Sequence, residues 1–513
     1  MQNRSPKTWL PLLLSVTLAT GMVIGFTMRD NFPGTAFFAG RKSNPIKEVL
    51  QLIDERYVDD VASKKWQDST LNAILNSLDP HSFYITPDEM SKYNESISGK
   101  YSGVGISFDI FNDSLYVLQV FPNSPAAKAG IRQGDVILQA NTTQLSGAEF
   151  PQDSIGKIIK GPTGSSIQLV VLRDGRRQTY SVIREDVSVN SVDVYYMVNA
   201  TVGYIAISEF TNHTYRNFML ALTDLQKKGM KSLILDLRGN SGGILDEAID
   251  IADEFIAGDR LITYTEGRKS PRKEYRCKRP GLFESGKLTV LCDEGSASAS
   301  EVILGALQDW KRATIVGENS FGKGLVQEQY ELTNGGGIRL TIARYFTPKG
   351  RSIQRPYQHK SIEEYYAQAN PDDSAEQKNI SSPFGIQPDL AVPATPEDTS
   401  VNTLVFYPTI PSHLSHFALR WVMTHPTLKT TYPSSAAFLS QFKVSSEIWS
   451  SLLSFLAGKT PLTDQQYNQE RTQIEHQLKV YFALHLWQVP GQRMALNEAD
   501  PVFQKAPCVP LLR

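Results

Sequence analysis

The sequence predicts a multidomain α/β protein, and three observations carry that reading. After residue 186, near-continuous apolar runs alternate with helical stretches, the signature of a sheet covered by helices on its faces. Between 102 and 185 short β runs are separated by turn signals. Both ends of the chain show helical periodicity instead.

Size and composition agree with several units. At roughly 100 to 200 residues per domain, the 513 residues suggest three or four. With 41% hydrophobic and 20% charged residues, the chain is too apolar to be disordered. Lys and Arg number 52 against 53 Asp and Glu, a net charge of −1, which gives no electrostatic reason to expect nucleic acid. Cys277, Cys292 and Cys508 are too few and too scattered for a disulfide framework or a zinc site.

The elements follow in order. No residue from Trp9 to Met28 is charged, and about twenty apolar residues suffice to cross a bilayer. Arg4 and Lys7 precede this run, so the positive-inside rule predicts a single-pass anchor, with the rest of the chain extracytoplasmic. A cleaved signal peptide is the competing reading, disfavoured because no small-x-small site follows. Residues 30–43 read as a linker. Pro45 opens a helical region over 44–100. Ile46, Val49, Leu50, Ile53 and Tyr57 there, and Leu71, Ile74, Leu75 and Leu78 after a break, predict core-facing stripes. The turn Leu78-Asp79-Pro80-His81-Ser82 closes the second stripe.

The β-rich unit is assigned to 101–186, with strands near 104–110, 115–121, 135–139, 167–172 and 178–183 and a hairpin at Asp174-Gly175. Strands near 202–207, 232–237, 288–292 and 314–316 alternate with helices in a core over 187–394. From Thr395 the chain reads as a mainly helical extension to 513. Ile474, Leu478, Tyr481, Phe482 and Leu486 share one side of a helix beginning near Thr463.

Three loops of the core carry candidate chemistry. Gly317 to Lys323 spells GxxxxGK, but Gly324 stands where a P-loop needs Ser or Thr, and 325–332 alternates like a strand where a helix should begin. Asp293-Glu294-Gly295-Ser296-Ala297-Ser298-Ala299-Ser300-Glu301 joins a strand to a helix. Its Ser298-x-x-Glu301 fits a capping box, and equally a hydroxyl presented above a helix N-terminus. Asp236 to Gly243 also leaves a strand end before a helix, and such loops gather at one edge of an α/β sheet. His213 is the sole histidine between 187 and 354, so a Ser-His-Asp triad is poorly supported. A lysine can act as base if burial lowers its pKa by about three units, and Lys323, among Phe321, Gly322, Gly324, Leu325 and Val326, is suitably placed.

With these motifs the chain resembles the carboxyl-terminal processing peptidases, or tail-specific proteases. The likeness covers roughly 44–393 and adds Tyr101 to Ile106, Ser124-Pro125-Ala126, Gly134 to Ile137, Lys160 to Gly164 and Gly385 to Asp389. It implies a crotonase-like sheet in the core and a PDZ domain over 101–186. It implies Ser298 as nucleophile, with Ser296 and Ser300 in reserve. Lys323 would be the general base, 323 − 298 = 25 residues on, with Gln327 supporting it from the same face of a strand. The oxyanion hole would be the N–H of Ala299 with that of Gly242 or Gly243, and the peptide carboxylate loop Gly103, Val104, Gly105 and Ile106.

The resemblance therefore implies a membrane-anchored, periplasmic serine endopeptidase acting near unstructured protein carboxyl ends, with no cofactor or metal and no nucleic-acid partner. A homo-oligomer is left open. The alternative is a noncatalytic PDZ adaptor that retains the peptidase fold, but a degenerate relative would be expected to have lost Ser298, Lys323 or Gln327. Two features depart from the family: the basic stretch Arg268 to Arg279, expected to be a solvated hairpin, and the helical tail. Neither is expected to touch the catalytic motifs.

Overall fold

The computed structural model describes residues 9–31, 45–59, 63–147, 152–192, 194–358, 362–367, 384–392, 409–460 and 462–508. They fall in two units, Met1–Thr70 and Leu71–Arg513.

In the first unit a helix runs Leu10–Asn31 and a second Pro45–Arg56. Among the described residues no helix is long and apolar enough to cross a membrane. This overturns the single-pass anchor over 9–28 and the membrane localisation drawn from it. Arg4, Lys7 and all but the first two residues of the expected linker lie outside the described residues. The stripe on Pro45–Arg56 is also not core-facing, since that helix buries nothing and exposes Ile46 and Val49. Periodicity says which side of a helix is apolar, not that something covers it.

The second unit contains three assemblies. A six-stranded sheet runs in the order Val194–Met197, Val202–Ala206, Ser232–Asp236, Lys287–Cys292, Thr314–Gly317, Leu390–Ala391, parallel except at its first pair. Alternate side chains of its strands face two ways. Ile205, Leu233, Leu235, Val290 and Ile315 pack with the helices Thr214–Lys227, Leu245–Asp253 and Ala299–Asp309. Tyr204, Ile234, Leu291 and Val316 pack with Val502 and Phe503 near the end of the chain. The helical tail thus supplies the sheet's other cover, and it does reach one of the three candidate loops: Asp500 pairs with Arg238 at 2.5 Å. Ion pairing cannot be read from helical periodicity, which is why the sequence assigned the tail no such contact.

A second sheet stacks Phe83–Ile85, Gly337–Phe346, Leu261–Glu266 and Lys273–Arg276, with Leu325–Glu331 also paired to Gly337–Phe346. Phe83–Ile85 lies inside the stretch expected to be helical. Three residues are too few to show an alternating period. The basic stretch forms the expected hairpin, Leu261–Glu266 against Lys273–Arg276.

The β-rich unit is an antiparallel sheet in the order Ile106–Phe111, Ser114–Val120, Val136–Ala140, Ser166–Arg173, Arg176–Ile183, with its own core around Val104, Leu115, Val117, Ile137, Ile167 and Leu169. It joins the rest through the paired strands Lys100–Gly103 and Glu185–Ser188. In the tail, the helix expected from Thr463 is two, Asp464–Gln469 and Arg471–Ala499. The longer one kinks at Trp487 and Gln488, just before Pro490, whose ring and missing N–H break the ladder.

Candidate active site

The strand Lys287–Cys292 ends in a tight loop that the helix Ala299–Asp309 closes. Within that loop three serines have different fates. Ser296 is fully buried and its hydroxyl donates to the Leu237 carbonyl at 2.8 Å. Ser300 is equally buried and donates to the Asn240 carbonyl at 2.9 Å. Ser298 alone is partly exposed, at φ 56° and ψ −112°, a conformation costing a non-glycine residue about 1–3 kcal/mol. The structure therefore uses two serines to hold the loop and turns the third outward.

Asn240 locks the neighbouring glycine loop to this turn. Its carbonyl accepts the Ala297 N–H at 2.9 Å, and its side-chain oxygen accepts the Gly242 N–H at 2.9 Å. Gly242, at φ 105°, packs so closely that a Cβ there would lie 2.8 Å from the Cβ of Ser298. Gly243 bridges to Phe210, and neither its N–H nor that of Ala299 has an acceptor among the described residues. Ala299 is the first residue of the helix, where N–H groups are orphaned and the dipole favours negative charge.

Glu301 joins this turn to the lysine loop. Fully buried, its carboxylate accepts the N–H groups of Ser298 at 2.8 Å, Gly322 at 2.7 Å and Lys323 at 2.8 Å, and the Ser320 hydroxyl at 2.6 Å. Burial raises its pKa, and these donors oppose the rise. The Tyr345 hydroxyl stands 2.9 Å from the Ser298 carbonyl and 2.6 Å from that of Lys323. Two segments far apart in sequence are thereby held together largely through their backbones, and Ser298 also forms the expected capping box with Glu301.

Lys323 lies in the turn before Leu325–Glu331, not on the strand, and a register shift falls between Val326 and Gln327. The same-face argument linking 323 to 327 therefore does not hold, because the alternation it needs is broken. Burial pushes the Lys323 ammonium down to about 8, Arg339 pushes the same way, and Asp79 and Glu301 oppose. Gln327 donates from its side-chain nitrogen to the His81 carbonyl. Burial and then Lys323 hold His81 down to about 3, and Asp79 shapes its turn by accepting the N–H groups of His81 and Ser82 at 2.8 and 2.9 Å.

Ser298, Lys323, Gln327, Ala299, Gly242 and Gly243 all line one cavity of about 470 Å³, with Arg339 and Tyr345. Gly103 to Ile106 are elsewhere. Gly103 ends a strand paired with Glu185, the Val104 and Gly105 carbonyls accept from Ala126 and Phe121, and Ile106 begins a strand at the end of its sheet's order. Sequence reasoning saw Glu301 only as a cap and His81 only as a turn residue; the capping box and the LDPHS turn were their signals. Tyr345 and Arg339 sit in an ordinary strand and carried none.

The family model for peptidase family S41 matches residues 201–363, that for a PDZ domain 102–183, and one for a family of unknown function 412–488. The chain is similar to a carboxy-terminal-processing protease of Bartonella bacilliformis, 35% identical over 314 residues that cover 60% of this chain and 71% of that one. A probable CtpA-like serine protease of Staphylococcus aureus (strain N315) is 33% identical over 355 residues, covering 68% and 71%. Among solved structures, the photosystem II D1 C-terminal processing protease is 26% identical and covers 68% of this chain and 92% of that one, at a TM-score of 0.37.

Proposed function

This chain belongs to the carboxy-terminal-processing serine proteases of peptidase family S41, with a PDZ domain, and on that premise we propose that it cleaves proteins near their carboxyl ends by a Ser298-Lys323 dyad. The Ser298 oxygen attacks the scissile carbonyl carbon and gives its proton to neutral Lys323. The peptide C–N bond then breaks, Lys323 returns the proton to the leaving amine, and an acyl ester remains on Ser298. Water, deprotonated by Lys323, hydrolyses that ester and frees the serine.

One observation carries the reading: the outward-turned serine and the lysine lowered to about 8 line one cavity. With that pKa, about one lysine in ten is neutral at pH 7, against about one in three thousand at 10.5. The N–H groups of Ala299 and Gly243 would hold the oxyanion. Gly243 is favoured over Gly242 because the Gly242 N–H already donates to Asn240. Gln327 would act at one remove, fixing the His81 turn against the lysine. A substrate end would add as a strand beside Ile106–Phe111, which pairs on one side only among the described residues, with its carboxylate at Gly103 to Ile106.

The test is cleavage of a peptide with an apolar free carboxyl end, followed by mass. Ser298→Ala and Lys323→Ala should each abolish turnover with the circular dichroism unchanged. Turnover retained by either folded variant would overturn the dyad.

A further inference from the structure

Most arginines of this unit that are withdrawn from water have their charge or donors met within the chain. Arg173 pairs with Asp135 at 2.6 Å, and Arg238 with Asp236 and Asp500. Arg184 donates to the carbonyls of Ile158 and Ile159, and Arg312 to those of Phe255 and Phe283. Arg355, also buried, lies across the rings of Phe321 and Phe384, but its Nε and Nη1 find no hydrogen-bond partner among the described residues, and it does not line the cavity of Ser298.

Arg339 differs. It is half-buried on Gly337–Phe346 and lines the cavity that holds Ser298 and Lys323. Its one hydrogen bond among the described residues is from Nη1 to the Tyr93 hydroxyl, whose ring it also approaches at 5.7 Å. No carboxylate lies within 4 Å of it among the described residues, although Glu209 lines the same cavity. A guanidinium carries five donors in a fixed fork. Tyr93 takes one and steadies the plane, and the rest are unmatched by any anion among the described residues. A cation there also helps keep the Lys323 amine neutral, so the guanidinium serves the base while its free donors face the cavity.

We propose that Arg339 is a specificity-determining residue that receives a carboxylate of the substrate inside the catalytic cavity. This rests on the dyad reading above and adds to it the charge of the peptide segment lying over Gly337–Phe346. The carboxylate is an acidic side chain or the chain end itself. A planar fork suits either, and water exclusion strengthens the charge-assisted bond.

The experiment compares kcat/KM for four peptides on the full chain: one with a Glu near the cut and its Gln counterpart, and one with a free carboxyl end and its amide. The ratio within each pair cancels any general effect of a substitution on Lys323. The wild type should favour the anionic member of one pair by roughly tenfold to a hundredfold. Arg339→Gln should bring that ratio near unity, and Arg339→Lys should restore part of it. The pair that responds identifies the source. Discrimination at the chain end counts only if it falls with Arg339→Gln, because the PDZ domain could produce it alone. Equal rates within both pairs, or a preference that survives Arg339→Gln, would overturn the proposal. Either result leaves the dyad intact, since that fails only if folded Ser298→Ala or Lys323→Ala still cleaves.

Discussion

Replacing Lys323 by Met should stabilise the protein near neutral pH while destroying its activity, because the native site holds an amine where its charge is unwelcome. The ammonium titrates at 10.5 in the unfolded chain and at about 8 in the folded one. The unfolded state therefore binds more protons between those values, and stability rises with pH across that window. Below about pH 8 the full cost applies, and above about 10.5 it vanishes. The gap of 2.5 units corresponds to about 3 kcal/mol, trimmed toward about 2 by partial exposure of the amine. Methionine keeps the length and apolar stem without a cavity. The assay is hydrogen exchange of peptides spanning 314–331 as urea is raised, at about pH 6.5 and about pH 9.5. Lys323→Met should outlast the wild type at the lower pH, and the advantage should shrink by about 1–2 kcal/mol at the higher. A difference independent of pH, or a variant weaker at both, would refute the claim that burial lowers the Lys323 pKa.

Gly242→Ala should lower kcat at least a hundredfold with a smaller change in KM, because its Cβ would press on Ser298 at 2.8 Å in a backbone shape alanine avoids; steady-state kinetics decide. Glu301→Gln places an amide NH2 among four donors, and should cost about 2–4 kcal/mol in urea unfolding together with most activity. His81, held down to about 3, stays neutral in the fold while the unfolded chain takes up a proton below about 6.5. Stability should thus fall as pH drops through that window, and His81→Gln should flatten the slope in acid-unfolding curves.

Much of the fold was legible because local period and global burial agree in it. The runs around 202–207, 232–237 and 288–292 are apolar on both faces, and both faces are covered. The stripe at Ile46 and Val49 misled, since the same spacing serves a covered and an uncovered helix. At the site, loop composition and family likeness singled out Ser298 and Lys323, the pair proposed to react, and both line one cavity. What brings them together was not legible. Glu301 acts through backbone N–H groups of a loop 22 residues away, and backbone donors leave no mark on side-chain identity. Tyr345 and Arg339 belong to no motif, and their place at the cavity follows from the pairing of Gly337–Phe346 within the second sheet.

The most direct test labels the protein with a fluorophosphonate and maps the adduct by mass spectrometry as a function of pH. A single adduct on Ser298 is expected, forming faster as pH rises through about 8 and not forming in Lys323→Ala. Labelling at Ser296 or Ser300, or an unchanged rate without the lysine, would contradict the account.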